Sequence, residues 1–215
     1  MTTEVATLYC HGSEQPCTSS YLSPLVRAIC RKHGVTRVLD IGCGNGSLCR
    51  TLAAAGCTVV GMEPSRSGVT LARAAVPEGV FYEIGVYDDP TSVPEKDFDA
   101  VVSTEVVEHL VRPSALPEFA SAKLKTCGIL VVSTPYHGYL KNLLLSLLNQ
   151  WDEHHTSLWD GGHIKFWSRR NLASLLTAHG FHVLEFHGVG RVRWLWKSMI
   201  LVARKIDPAQ ADEQH

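Results

Sequence analysis

The chain has 215 residues, 45% of them hydrophobic and 19% charged, with a formal net charge of −1. That length suffices for one α/β domain with a substantial core, and the near-neutral balance supplies no global field that would draw the protein onto nucleic acid. Seven cysteines are scattered without a C-x-x-C pair, and the opening Met1-Thr2-Thr3-Glu4-Val5 lacks the basic-then-apolar pattern of a leader. No apolar run approaches the ~20 residues that span a bilayer, so the expectation is a cytoplasmic protein with reduced cysteines.

Residues 1–17 read as irregular. Residues 19–33 read as a helix, with Leu22, Leu25, Val26 and Ile29 at helical spacing and Gly34 as its stop, so 1–34 form an N-terminal segment and helix. From 35 to 205 strands and helices alternate. Strands are expected at 37–41, 58–62, 80–84, 98–104 and 129–133, and near 181–187 and 198–203. Helices are expected at 47–55 (closed by Gly56), 67–75, 114–124 with Pro113 in the first turn, and 168–179. Near-continuous apolar strands separated by helices imply a seven-stranded, mostly parallel sheet with helices on both faces, a three-layer α/β sandwich. Ligands in such sheets bind beyond the strand C-termini, at the switch point. The stretch 135–167 interrupts the alternation and reads as a lid-like insertion, and 206–215 as a polar tail.

The strand at 37–41 runs into Asp40-Ile41-Gly42-Cys43-Gly44-Asn45-Gly46, a D-x-G-x-G-x-G pattern rather than the G-x-G-x-x-G of nicotinamide and flavin enzymes. Glycines let a ligand lie against bare backbone, and the N–H groups of the helix that follows favour negative charge. Seventeen residues past Gly46 the next strand ends at Glu63, whose carboxylate can accept both hydrogens of a ribose diol. Strand, turn and acid together resemble the class I S-adenosylmethionine-dependent methyltransferases, whose fold is Rossmann-like. The resemblance implies that Gly42, Cys43, Gly44 and Gly46 shape the cofactor turn. It puts Asp40 at the methionine end of S-adenosylmethionine and Glu63 on the ribose hydroxyls. Val86 and Tyr87 would lie by the adenine, and Thr104 would line the methionine chain. Many relatives carry an acid where this chain has Val86, with Asp88 two residues later.

Directly after the fourth strand comes Glu105-Val106-Val107-Glu108-His109. If these residues begin a helix, positions i, i+3 and i+4 share one face, and two carboxylates and an imidazole meet at the sheet's C-terminal edge. Such packing is expensive unless something pairs with it, and a divalent cation would. The E-x-x-E-H run, with the later Gly161-Gly162-His163-Ile164-Lys165-Phe166, resembles two metal-dependent branches of the family. These are the ubiquinone-pathway O-methyltransferases and the small-RNA 3′-end 2′-O-methyltransferases. The resemblance implies Glu105, Glu108, His109 and His163 as ligands and Mg²⁺ as the ion. Oxygen and nitrogen donors by themselves also admit Mn²⁺, Fe²⁺ or Zn²⁺. Without a metal, His109 or His155 would be the general base.

Residues 139–151 are apolar on most of their circumference and carry one charge, Lys141. They are too short to span a membrane; they suit packing on the core, covering a hydrophobic substrate, or peripheral contact with a membrane surface, as this insertion makes in ubiquinone-pathway relatives. The aromatic and histidine density at 151–163 suits an apolar or aromatic small-molecule acceptor. Arg191-Val192-Arg193-Trp194-Leu195-Trp196-Lys197 interleaves basic and aromatic residues between the last two strands. The reading is O-methylation of a phenol, catechol or diol. An RNA 3′-end acceptor, and metal-independent transfer to nitrogen or carbon, are the alternatives.

Overall fold

A computed structural model describes residues 17–155 and 162–207. Its helices are α1 (Ser19–Lys32), α2 (Ser47–Ala53), α3 (Arg66–Ala75), α4 (Ala115–Lys123), α5 (Tyr139–Leu147), α6 (Trp151–His155) and α7 (Arg169–Thr177). The strands are β1 (Arg37–Ile41), β2 (Thr58–Met62), β3 (Val80–Tyr82), β4 (Phe98–Thr104), β5 (Leu124–Pro135), β6 (Phe181–Val189) and β7 (Ser198–Lys205). They form one seven-stranded sheet in the order β3-β2-β1-β4-β5-β7-β6. β7 runs antiparallel to both its neighbours and every other pairing is parallel. The fold is the expected Rossmann-like three-layer sandwich.

Side-chain alternation builds the layers. On one face Leu39, Ile41, Val60, Met62 and Val101 pack with Leu116 and Phe119 of α4 and with Leu172 and Leu176 of α7. On the other, Val38, Val59, Ala100, Val102, Val131 and Ile200 pack with Leu22, Val26 and Ile29 of α1 and with residues of α2 and α3. Both faces are covered, so the central strands are buried almost end to end.

Three boundaries differ from the sequence reading. β3 stops at Tyr82, because it is an edge strand paired on one side alone. β5 starts five residues early, beside a register shift against Phe98/Ala100 and a positive φ of 61° at Cys127, which is exposed rather than set in the core. The third difference lies at 105–109, where a single 3₁₀ turn, Val107–His109, replaces the expected helix start. Residues 1–16, 156–161 and the end of the tail lie outside the described residues. No described helix is long and apolar enough to cross a membrane.

The switch point falls between β1 and β4, which are sheet neighbours whose chains leave in different directions. The loops after these two strands touch: a Cβ at Gly42 would lie 2.5 Å from Val106 Cγ2.

Candidate active site

One wall of the cleft is the loop after β1. Gly42 N–H and Cys43 N–H both donate to Met62 O, at 2.8 and 3.1 Å, which stitches the loop to the end of β2. Glu63, one residue on, is 5% exposed. Its Oε2 accepts from Gly44 N–H at 3.1 Å and its Oε1 from Ser65 N–H at 2.9 Å. Gly46 closes the turn at φ +77°, and a Cβ there would lie 2.8 Å from Ala72 Cα. Only glycine meets both demands, a left-handed backbone and contact with α3.

Asp40 lies beneath this loop, 1% exposed. Cys49 Sγ donates to its Oδ2 at 3.2 Å, and its Oδ1 has no hydrogen-bond partner among the described residues. Burial pushes its pKa up to about 7, the Cys49 contact opposes this, and the charge of Glu63 adds to it. An orphaned, buried carboxylate oxygen beside a glycine turn fits the α-ammonium of an amino-acid moiety. Of the other cofactor positions, Thr104 ends β4 half-buried. Val86 is buried in the core at 8% exposure, whereas Tyr87 is exposed. Tyr87 Oη accepts from Arg112 N–H at 3.2 Å, and the Arg112 guanidinium stands over its ring.

Across the cleft stands the chain after β4. Glu105 takes φ +56°, which turns it away from the path of a helix. The expectation of a helix face shared by Glu105, Glu108 and His109, with Glu105 a fourth ligand beside His163, is corrected accordingly. Glu108, His109 and His163 each bring a ligand atom within 4.8 Å of one another, and Glu105 is not in that cluster. Its Oε1 accepts from Ser133 Oγ at 2.7 Å and its Oε2 from Ser198 Oγ at 3.2 Å. Ser198 in turn meets Tyr21 Oη of α1 at 3.3 Å. Burial raises the Glu105 pKa to about 7, against the pull of the two serines and Lys141.

Glu108 is 1% exposed, and neither of its carboxylate oxygens has a hydrogen-bond partner among the described residues. Burial holds its pKa well above the usual carboxylate range, and the charge of Glu105 adds to this. The segment carrying His163 is tied to the same turn. Ile164 N–H and Lys165 N–H both donate to Glu108 O at 3.0 Å. His109 Nδ1 lies 3.2 Å from Gly162 O. A carbonyl oxygen can only accept, so His109 carries a proton on Nδ1. The two imidazoles meet edge to face at 5.0 Å. Burial, followed by His109, His155 and Lys141, takes the His163 pKa down to about 4, so its ring is neutral near pH 7.

His155 sits further out, stacked on Trp151 at 4.6 Å and on His137 at 5.7 Å. A cavity of about 210 Å³ separates it from His163, and Lys141, Arg191 and Lys197 line the same space. The sequence reading missed these three cations as site residues. The available signal was Lys141, the one charge in an otherwise apolar helix.

Over residues 19–185 the chain matches the family described as "Methyltransferase domain". It is 39% identical over 105 residues to the ubiquinone biosynthesis O-methyltransferase of Bradyrhizobium diazoefficiens, covering 47% of this chain and 40% of that protein. Against the protein of the same name from Azorhizobium caulinodans it is 30% identical over 171 residues, covering 75% of this chain and 65% of that one. The chain thus spans between two fifths and just under two thirds of the length of these relatives. Among solved structures it is similar to the magnesium protoporphyrin IX methyltransferase of Synechocystis PCC 6803 with bound SAH. The TM-score is 0.64 at 22% identity, covering 85% of this chain and 81% of that one, a likeness of fold.

Proposed function

The chain belongs to the class I S-adenosylmethionine-dependent methyltransferases, and on that premise we propose that it methylates a hydroxyl oxygen of a small acceptor with apolar or aromatic character. S-adenosylmethionine supplies an electrophilic sulfonium methyl. In this reading Asp40 Oδ1 holds the donor's α-ammonium, Glu63 takes the ribose hydroxyls while keeping the glycine loop closed, and Thr104 lies along the methionine chain. Val86 and Tyr87 flank the adenine, with Val86 contributing mainly backbone because its side chain is committed to the core.

The observation that carries an oxygen acceptor is the Glu108–His109–His163 cluster, with its buried and unpartnered carboxylate at the mouth of the switch point. Unpaired buried charge is costly, so these residues fit a divalent cation. Two imidazoles and one carboxylate suit Mn²⁺, Fe²⁺ or Zn²⁺ by donor type, and Mg²⁺ only with further oxygen ligands. When bound, the ion lowers the pKa of the acceptor hydroxyl. Glu108 Oε, His109 Nε2 and the His163 ring hold it, and the two backbone bonds to Glu108 O keep His163 in place. In the absence of an ion, His109 or His155 takes the hydroxyl proton.

The test is calorimetry with S-adenosylmethionine, then a screen of phenols, catechols and diols with metal analysis before and after EDTA. Donor binding followed by oxygen methylation that EDTA suppresses is the expected result. Full activity after chelation, with no metal by elemental analysis, removes the cation. Methylation at nitrogen or carbon alone removes the oxygen acceptor.

A second observation supports peripheral contact with a membrane surface. Along 139–151, Tyr139 is 82% exposed, Leu147 72% and Leu148 63%. Co-sedimentation with phospholipid vesicles that Leu147→Glu weakens is the expected result. No binding to vesicles of any charge would withdraw this contact.

A further inference from the structure

The described acids and bases around the cleft are unevenly distributed. The described residues lining its outer cavity include three cations and no acid. Two elements, α5 and the loop between β6 and β7, bring Lys141, Arg191 and Lys197 to one cavity of about 210 Å³, with His137, His155 and His163 on the same walls. Lys141 is 6% exposed, and Lys141 Nζ donates to Tyr136 O at 2.8 Å, which uses one of the three ammonium hydrogens. Lys197 is fixed through its backbone: its N–H donates to Val189 O and its carbonyl accepts from Tyr136 N–H, both at 2.9 Å. Gly190 leaves room for it, since a Cβ there would lie 2.9 Å from Lys197 Cβ. Arg191 stands exposed at the rim.

None of the three cations makes an ion pair with a carboxylate among the described residues. Glu105, whose charge acts on Lys141, already accepts from Ser133 and Ser198. A buried ammonium beside a guanidinium and without a counter-ion is costly, and an arriving anion removes the cost. We propose that this cavity is an oxyanion subsite for the acceptor, in which Lys141, Arg191 and Lys197 bind a carboxylate or phosphate group carried by the molecule to be methylated.

The proposal rests on the methyltransferase reading and narrows its substrate class. His163 is shared between the cavity and the cluster with Glu108 and His109, so the anionic group sits one side chain away from the reacting hydroxyl. The space is smaller than the roughly 300–1,000 Å³ of pockets that enclose a whole drug-sized ligand, so it takes a substituent or a single ring. The remainder of the acceptor extends past Phe166 and the exposed side chains of α5. Lys141 dominates the affinity because it is buried, while Arg191 and Lys197 at the rim are screened by solvent.

Calorimetry on the full chain, with SAH present and EDTA excluding metal coordination, compares benzoate, its neutral counterpart benzamide, and phenyl phosphate. Benzoate is expected to bind at least about tenfold more tightly than benzamide. Lys141→Met and Arg191→Gln should each reduce that preference; the second residue is exposed, so its variant is the one whose folding is not at issue. Equal binding of benzoate and benzamide, or a preference that neither Lys141→Met nor Arg191→Gln reduces, would overturn the subsite. Phenyl phosphate binding above benzoate assigns it to phosphate-bearing acceptors; binding below assigns it to carboxylates, and either keeps the oxyanion chemistry. SAH binding, measured first, separates the two levels. Its absence defeats the methyltransferase reading, whereas SAH binding without oxyanion preference defeats the subsite alone.

Discussion

The two walls of the cleft are built on different principles. The wall proposed to hold the methyl donor, Asp40 to Gly46 with Glu63, is made from consecutive residues of one strand–turn–helix unit and the end of the adjacent strand, and the loop's backbone N–H groups donate to Met62 O and the Glu63 carboxylate. The acceptor wall brings together residues far apart in the chain: Glu108 and His109 after β4, His163 from the returning segment, Lys141 from α5, and Arg191 before β7. A wall made locally is fixed as soon as its strands pair. One made from distant pieces depends on every contact that folds the insertion back, and its chemistry can vary without disturbing the sheet.

Substitutions on the two walls should therefore separate. Gly46→Val is expected to have the largest effect, because it adds a branched Cβ at φ +77° against the α3 backbone. About 2–4 kcal/mol of stability should be lost in urea unfolding, along with donor binding. Glu108→Gln on the opposite wall should do the reverse. It replaces a buried carboxyl, whose pKa burial already holds well above the usual range, with a neutral amide of the same shape, so stability should hold within about 1 kcal/mol. Divalent-ion affinity should fall roughly a hundredfold, read by metal titration, with SAH affinity unchanged. A large loss of stability in Glu108→Gln would show that both walls are structural and break the contrast.

Glu63→Ala should weaken SAH binding by ~1–3 kcal/mol through lost charge-assisted hydrogen bonds, with metal affinity intact. Unchanged SAH affinity would take Glu63 out of the donor site. The smallest effect is on pH. Asp40 ionises near 3.9 in an unfolded chain, and burial raises it to about 7 in the fold. The ligand-free fold therefore holds an extra proton between those values, and its contribution to stability is lost as pH rises through about 7. A bound α-ammonium favours the ionised form, so SAH affinity should rise severalfold from about pH 5 to about pH 7 with proton release. Calorimetry in buffers of different ionisation enthalpy reads that release, and a flat profile in Asp40→Asn would assign it.

The legibility of each wall follows its construction. The glycine spacing and Glu63 are local signals, readable because strand, turn and cap are short-range and each residue type answers a backbone demand at its own position. The E-x-x-E-H run misled at one point. Its helical spacing implied a shared face, yet Val106 packs against Gly42 and Glu105 turns to φ +56°, so Glu105 goes to Ser133 and Ser198. No local pattern in 105–109 encodes that contact with the loop after β1.

By itself, then, the sequence determined the sheet, the donor turn and its two acids, because alternation, glycine and strand-end carboxylates act over a few residues. Tertiary structure decided which carboxylate meets the imidazoles and which cations line the cavity beside them. His109 and Gly162, 53 residues apart, meet only once the insertion has folded back. Lys141 reads in sequence as a stray charge on an apolar helix, and only the fold brings it to the same cavity as Arg191 and Lys197. Contacts of such separation depend on the packing of the whole domain, which no local spacing rule records.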